Sequence, residues 1–142
     1  MEGACANIID ESQNVVRKVL KRKYKGKSSA EQFSLQQLAY SIVREYDMKH
    51  IQIPKVYTFD HRSYTMDRID TSKPIYECKS EVTEYTLNEL HTFCDIFESK
   101  GYFANDIECY LQPNGKIAII DFDKCEAVGK GSRKSNPFIY EV

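Results

Sequence analysis

The sequence predicts an α+β fold in which an antiparallel sheet with one helix is followed by a second helix and a β-hairpin. Runs rich in β-branched residues, separated by turn formers, predict the strands. Two segments with apolar residues at helical spacing predict the helices. An Asn-Gly pair between two apolar runs predicts the late hairpin. The 142 residues suit one compact domain or two small lobes that share a cleft.

Residues 4–20 have the pattern of a β-hairpin. An apolar segment, residues 6–9, leads into the turn formers of residues 10–14 and then into the β-branched segment 15–20. The next element is a helix over residues 29–46. Its start has the Ser-x-x-Glu form of a capping box, Ser28 to Glu31, in which hydroxyl and carboxylate satisfy amides at the helix start.

The helix presents an apolar stripe that includes Leu35, Leu38 and Ile42, and Glu31 falls on the same stripe. Residues 51–69 predict two further strands, with Pro54 interrupting the first. The polar segment 70–74 is the best candidate boundary between lobes. It divides the chain into an N-terminal lobe, residues 1–70, and a C-terminal lobe, residues 71–142.

The C-terminal lobe begins with a helix predicted over residues 86–99, and Gly101 is a plausible stop. Residues 110–120 then form the predicted hairpin, with Asn114 and Gly115 in its turn.

The composition excludes several classes of function. A net charge of -1 predicts neither nucleic-acid binding nor attraction to a membrane surface. The basic segment 17–27 is explained by a solvated strand end and loop. The five cysteines are scattered without a Cys-x-x-Cys pair, which indicates a reducing compartment and no zinc knuckle. The sequence has no signal peptide and no long apolar run, so we expect an intracellular, cytoplasmic protein.

Phosphoryl transfer needs a cation on the nucleotide phosphates, acidic oxygens for Mg²⁺ and a carboxylate for the attacking hydroxyl. Lys18 lies in a predicted strand, Val15-Val16-Arg17-Lys18, and Asp121 ends an apolar strand in Ile119-Ile120-Asp121-Phe122-Asp123. The first segment resembles the Val-Ala-Ile-Lys strand of the protein-kinase-like superfamily. The second resembles the Asp-Phe-Asp variant found in its small-molecule phosphotransferases.

The resemblance implies a two-lobed fold and an ATP/Mg²⁺ site. Lys18 would hold the phosphates, and Asp121, with Glu108 and Asp123, would bind Mg²⁺. Glu31 would pair with Lys18 and orient it, although the capping role also explains Glu31. Gln36 fits the usual spacing better but cannot form an ion pair.

The resemblance also predicts an adenine pocket. Ile8 and Val16 would cover the base, and Met66, Asp67 and Ile69 would lie at the hinge that meets its edge. The segment Gly3-Ala4-Cys5-Ala6-Asn7-Ile8 is similar to a glycine-rich loop that retains one glycine. An ordinary first strand explains this segment equally well.

The catalytic loop departs from the family pattern. Phe103-Ala104-Asn105-Asp106 stands where His-Arg-Asp or His-Gly-Asp is expected, so Asp106 would position the acceptor hydroxyl without its usual neighbours. The loop from Asp106 to Glu108 is shorter than in the family. Alternatively, Asp106 and Glu108 are solvated loop acids.

Three functions follow as expectations. The first is an ATP/Mg²⁺-dependent phosphotransferase that acts on protein Ser or Thr hydroxyls, with a partner or a second copy of the chain completing the acceptor site. The second is a pseudokinase that binds or inhibits a partner protein such as a host kinase. The third is a structural α+β domain. Chains of this compact kinase-like kind are similar to those of large DNA viruses, which implies the cytoplasm of an infected cell.

Overall fold

The computed structural model describes residues 6–134 and has the predicted α+β architecture, with an antiparallel sheet and two α-helices. Two short 3-10 turns, Ile75–Glu77 and Lys79–Glu81, precede the second helix. In chain order the elements are β1 (Ala6–Asp10), β2 (Val15–Leu20), α1 (Ser29–Glu45), β3 (Ile51–Gln52), β4 (Val56–Phe59), β5 (Ser63–Asp67), α2 (Glu84–Ser99), β6 (Tyr102–Phe103), β7 (Glu108–Leu111), β8 (Ile117–Ile120) and β9 (Glu126–Ala127). The predicted glycine-loop residues Gly3 to Cys5 lie outside the described part of the chain.

The largest sheet has four antiparallel strands in the order β1-β2-β5-β4. The predicted first hairpin is confirmed, because β1 pairs with β2. The register places Lys18 between Ile8 on one neighbouring strand and Tyr64 on the other. Because side chains alternate along a strand, Val16 and Lys18 share one face of this sheet, and Met66 lies opposite Val16.

Helix α1 begins at the predicted capping box, in which the Ser28 side chain and the Glu31 carboxylate each accept a backbone hydrogen bond. Leu35 and Ile42 are buried as expected. The prediction that Glu31 lies on the buried stripe is wrong, because the cap holds its carboxylate back at the exposed helix start. Glutamines occupy buried positions on that face instead.

Residues 51–69 form three strands rather than the predicted two. β3 pairs in parallel with β8, in a separate sheet of order β3-β8-β7, whereas β4 and β5 belong to the four-stranded sheet. Pro54 lies between β3 and β4, where its missing N–H costs no ladder bond. The predicted late hairpin is confirmed as β7 and β8, and its turn uses Gly115 at φ +85°.

The apolar core has two parts. The larger one joins α1, α2 and the β3-β8-β7 sheet, and the smaller one lies on the four-stranded sheet around Val16, Val56, Tyr64 and Met66. The side-chain amide of Gln112 is hydrogen-bonded to the backbone N–H and C=O of Asp70, which ties the predicted boundary segment to the late hairpin. None of the helices in residues 6–134 is long and apolar enough to cross a membrane.

Candidate functional site

Lys18 and Asp121 lie side by side, although 103 positions separate them along the chain. The ammonium Nζ of Lys18 is 3.5 Å from Oδ1 of Asp121, and the two side chains are 12% and 29% exposed. Lys18 projects from the middle of β2, and Asp121 follows the last residue of β8. The four-stranded sheet and the β3-β8-β7 sheet therefore each contribute one charged group to a shared, partly buried site.

The backbone of Asp121 is in the left-handed region, with φ at +71°. A non-glycine residue adopts this conformation infrequently, and such residues cluster at functional sites. The turn brings Asp123 close enough to hydrogen-bond with Asp121. Asp123 also accepts a hydrogen bond from the Tyr24 hydroxyl at 3.2 Å. The site thus contains two adjacent carboxyl groups and one ammonium group.

Asp121 and Asp123 lie close enough for the charge of each carboxyl to affect the ionisation of the other. Burial raises the pKa of Asp121 to about 7, the hydrogen bond with Asp123 adds to the rise, and the charge of Lys18 opposes it. Burial acts to raise the pKa of Asp123 as well, but its hydrogen bonds with Asp121 and Tyr24 and the charge of Lys18 outweigh burial and lower it. Asp121 is therefore the carboxyl of the two that loses its proton at the higher pH.

Lys18 remains an ammonium group in this environment. Burial acts to lower its pKa, but the neighbouring Tyr64, Asp121 and Asp123 outweigh burial and raise it above the ordinary value. The ammonium lies 5.8 Å from the centroid of the Tyr64 ring, a distance at which a cation is attracted to the ring face.

The raised pKa of Asp121 predicts a pH-dependent stability. A group with a raised pKa in the folded state stabilises the fold below its ordinary pKa of 3.8, and this contribution is lost as the pH rises through about 7. We expect the free energy of unfolding in EDTA to fall between about pH 5 and about pH 8 relative to Asp121→Asn, which lacks this titration. Urea denaturation across this range measures the difference. The charged neighbours that set it are Lys18, Asp123 and Glu108, and parallel profiles for the two proteins would contradict the assignment.

Gln32, rather than the predicted Glu31, is the partner that α1 supplies to Lys18. Lys18 Nζ donates a hydrogen bond to Gln32 Oε1 at 3.0 Å. The Gln32 amide donates in turn to the backbone carbonyl of Lys27 at 3.0 Å. The predicted pairing of Glu31 with Lys18 is therefore corrected, because the Glu31 carboxylate accepts from the Ser28 amide at the helix start.

Truncation of the two neighbours on α1 should have unequal effects. We expect Gln32→Ala to cost about 1–3 kcal/mol of unfolding free energy, because it leaves buried polar groups without partners. Glu31→Ala should cost no more than about 1 kcal/mol, as expected for a lost capping contact at an exposed helix start. Urea unfolding measures both. A larger loss for Glu31→Ala would mean that Glu31 and not Gln32 supports Lys18.

An apolar pocket of about 140 Å³ lies on the same face of the sheet as Lys18. Four of the residues predicted to surround the base, Ile8, Val16, Met66 and Ile69, line it. The other lining residues are Asp10, Arg68, Thr71 and Ile120. Pockets for drug-sized ligands measure about 300–1,000 Å³, so this one suits a single ring system rather than a whole nucleotide.

Asp67, the remaining predicted base contact, does not line this pocket. Its backbone N–H donates to the carbonyl of Lys55 at 2.9 Å, and its carboxylate accepts from the Tyr57 hydroxyl and the Lys55 amide. The backbone N–H of Asp67, which the prediction would have directed to the base edge, is therefore used by Lys55.

Asp106 lies in the loop that precedes β7, and Glu108 is the first residue of β7. Both side chains are exposed. Asp106 has φ at +51°. Glu108 is paired with Ile120, so it lies one residue from Asp121 across the hairpin, and its charge adds to the rise in the Asp121 pKa. The roles of Asp106 in positioning a hydroxyl and of Glu108 in binding Mg²⁺ stay predictions.

Asn105, next to Asp106, has a structural role that the sequence pattern did not indicate. Its side chain is fully buried, and its amide donates to the carbonyl of Ser132 at 3.0 Å. Its Oδ1 accepts from the backbone N–H of Lys134 at 2.8 Å. An amide at this position holds the segment after β9 against the loop, which neither the arginine nor the glycine of the family pattern could do in this way.

The donor set at the site is suited to a hard divalent cation. Carboxylate oxygens are the ligands that Mg²⁺ prefers, and a cation could displace the proton held between Asp121 and Asp123. Within residues 6–134, no group of three or more His, Cys, Asp or Glu side chains is arranged to hold a metal ion. The two aspartates alone would therefore supply fewer than three protein ligands to a cation held here.

The cysteines of the described chain are free thiols, as the scattered pattern predicted. Burial raises the pKa of both Cys94 and Cys125 to about 12, and burial also raises the pKa of Cys78 and Cys109. The thiolate is the nucleophilic and metal-binding form, so these four side chains act as small apolar core residues at neutral pH.

Comparisons with known proteins identify a shared fold. No family model matches the chain, and no curated protein matches it in sequence. Among solved structures, the chain is similar to Rv3197 from Mycobacterium tuberculosis, seen in complex with erythromycin, with a TM-score of 0.57 and 15% identity over 91% of this chain. It spans 45% of that chain's length, so less than half. Over nearly its whole length, this chain therefore has the same fold as part of a larger known structure.

Proposed function

We propose that this chain is a compact, two-lobed, kinase-like phosphotransferase that uses ATP and Mg²⁺. The contact between Lys18 and Asp121 carries the proposal, since it places an ammonium group suited to phosphates beside a carboxyl suited to a metal ion. The lobes would be residues 1–70 and 71–142, with the nucleotide between them.

The neighbouring pocket supports this assignment. Its apolar side chains could stack on an adenine ring, while Lys18 on the same sheet face reaches toward the phosphates. The coupled aspartates would hold Mg²⁺, which would neutralise charge on the phosphates when bound. Because burial raises the pKa of Asp121 in the free protein, binding of the cation would release the proton that Asp121 holds below that pKa.

The proposed transfer moves one phosphoryl group. The bond between the γ-phosphorus and the bridging oxygen of ATP breaks, and ADP leaves with that electron pair. A new bond forms between the phosphorus and the oxygen of a Ser or Thr hydroxyl. Asp106, which is exposed in the loop before β7, would orient this hydroxyl. The hydroxyl proton would pass to the Asp106 carboxylate or to solvent.

Thermal unfolding with and without Mg²⁺–ATP tests the proposal. At about 100 times the dissociation constant, a ligand specific for the native state adds about 2.7 kcal/mol. For a chain of this size, each kcal/mol raises the melting temperature by roughly 3–4 °C, so we expect a rise of about 8–11 °C. Mg²⁺ alone and ATP with EDTA are the controls. A melting temperature that Mg²⁺–ATP leaves unchanged would contradict the proposal and favour a structural domain.

A second candidate is a pseudokinase that acts as a binding module. Two observations favour it. Gln32 stands beside Lys18 where the family has an acid, and Asn105, next to Asp106, is hydrogen-bonded to the segment after β9. Incubation with γ-labelled ATP and a mixture of Ser- and Thr-containing peptides separates the candidates. The phosphotransferase predicts label on the protein or a peptide, whereas the pseudokinase predicts thermal stabilisation by ATP without label transfer.

A further inference from the structure

A basic pocket of about 580 Å³ adjoins the carboxyl pair, because Asp123 forms part of its lining. Its walls come from the loop between β2 and α1 and from the segments around β9. Six lysines line it: Lys21, Lys23, Lys25, Lys27, Lys124 and Lys134. Tyr24, Gly26, Asp123 and Glu126 complete the lining. The pocket therefore concentrates positive charge in a chain whose net charge is -1.

The loop that carries most of these lysines is attached directly to the Lys18–Asp121 site. The Tyr24 hydroxyl donates to Asp123, and the Gln32 amide donates to the carbonyl of Lys27. Gln32 in turn accepts from Lys18. Gly26 makes this arrangement possible, because a Cβ at that position would overlap the phenol of Tyr24.

The positive charge of the pocket is only partly neutralised from within. Glu126 pairs with Lys134 at 3.5 Å, and Asp123 is engaged by Tyr24 and Asp121. Lys23, Lys25, Lys27 and Lys124 have no carboxylate ion pair in the described part of the chain. Lysines brought together at this density repel one another, and an anionic ligand would relieve the repulsion.

We propose that this basic pocket binds an acidic segment of the acceptor protein, so that the phosphorylated Ser or Thr lies next to glutamate or aspartate residues. The proposal rests on the phosphotransferase function proposed above and names its substrate class. Asp123 belongs both to the carboxyl pair and to the pocket wall, so a segment seated here would place a neighbouring hydroxyl near the transferred phosphoryl group.

The chemistry of the pocket favours an acidic protein over a nucleic acid. Among the described residues that line it, Tyr24 is the sole aromatic one, and its hydroxyl is already bound to Asp123. Proteins that bind single strands use several aromatic side chains for base stacking together with a basic groove. Separate lysine charges suit carboxylates spaced along a peptide.

Fluorescence anisotropy with the whole chain tests the proposal. The probe is a labelled peptide with one serine flanked by glutamates, and its control has glutamines in their place. We expect the acidic peptide to bind more tightly, with an affinity that falls as salt rises. The double variant Lys23→Gln/Lys25→Gln should weaken binding about fivefold to tenfold. Lys49→Gln/Lys55→Gln, which changes two exposed lysines outside the pocket, should leave binding unchanged.

Phosphate transfer and nucleotide binding give independent readouts for the same variants. If the chain transfers phosphate, Lys23→Gln/Lys25→Gln should raise KM for the acidic peptide about fivefold or more and leave kcat unchanged. Stabilisation by Mg²⁺–ATP should persist in this variant, because neither lysine lines the nucleotide site.

Several results would overturn the pocket assignment while leaving the nucleotide site intact. These are equal binding of the acidic and neutral peptides, unchanged binding in Lys23→Gln/Lys25→Gln, or tighter binding of a single-stranded oligonucleotide than of the acidic peptide. If Mg²⁺–ATP does not stabilise the parent protein but the acidic peptide still binds, the phosphotransferase function is overturned. The proposal that the peptide is a phosphate acceptor then falls with it.

Discussion

Asp121→Asn should abolish the stabilisation of the protein by Mg²⁺–ATP and leave its fold intact. The substitution removes a carboxylate oxygen that the proposal assigns to Mg²⁺, and asparagine tolerates the left-handed backbone that Asp121 adopts at φ +71°. Loss of second-shell partners of a metal already costs about 10–100-fold in affinity or activity. We therefore expect a loss of more than about 100-fold in phosphate transfer.

The matched control for this variant is Asp47→Asn. Asp47 also has a positive φ, +50°, but its carboxylate is exposed and pairs with exposed Lys49 at 2.9 Å. The control should keep full stabilisation by Mg²⁺–ATP. Melting curves and label transfer measure both variants, and circular dichroism checks the fold. Equal responses of Asp121→Asn and the parent protein would remove Asp121 from the nucleotide site.

Lys18→Met should weaken Mg²⁺–ATP binding by roughly 10- to 150-fold. A hydrogen bond to a charged group contributes about 1.5–3 kcal/mol, which corresponds to this range of affinity. Methionine fills a similar volume, so the packing between β2 and Tyr64 should survive. Titration of a fluorescent ATP analogue with Mg²⁺ measures the dissociation constant.

Lys18→Met should also change the titration of the carboxyl pair. The charge of Lys18 lowers the pKa of Asp121 in the parent protein, so its removal should raise that pKa further. Lys55→Met is the matched control, because Lys55 lies over the ring of Tyr57 at 5.5 Å much as Lys18 lies over that of Tyr64. An identical loss of affinity in both variants would mean that Lys18 has no specific contact with the nucleotide.

The spacing of residue types along the chain was enough to predict the local elements. The turn formers before Val15, the Ser28 capping box and the Asn-Gly turn act over a few residues, so each element follows from local preferences. Strand alternation likewise predicted that Val16 and Lys18 share a face. The division of the chain at Pro54 into two separate strands was less predictable. The separation of β3 from β4 depends on the pairing of β3 with β8, which is far along the chain.

The candidate site was predictable in outline and not in its partners. Glu31 and Gln32 are adjacent in the sequence but have different environments. The helix cap holds the Glu31 side chain at the exposed helix start, whereas packing buries Gln32 next to Lys18. The apolar stripe offered one signal, since Gln32, Gln36 and Ala39 continue its helical spacing. Tyr24 and Asn105 gave no such signal, because their hydrogen bonds join segments remote in sequence.

By itself, the sequence determined the α+β class, the first hairpin and the capped helix, and it singled out Lys18 and Asp121 as candidates. Only the tertiary structure decided that Lys18 and Asp121 meet at 3.5 Å, that Gln32 rather than Glu31 joins them, and that six lysines gather beside Asp123. The physical reason is the distance along the chain over which each effect acts. Propensity and capping act between neighbours in the chain, whereas the field and burial at a site arise from groups that only folding brings together.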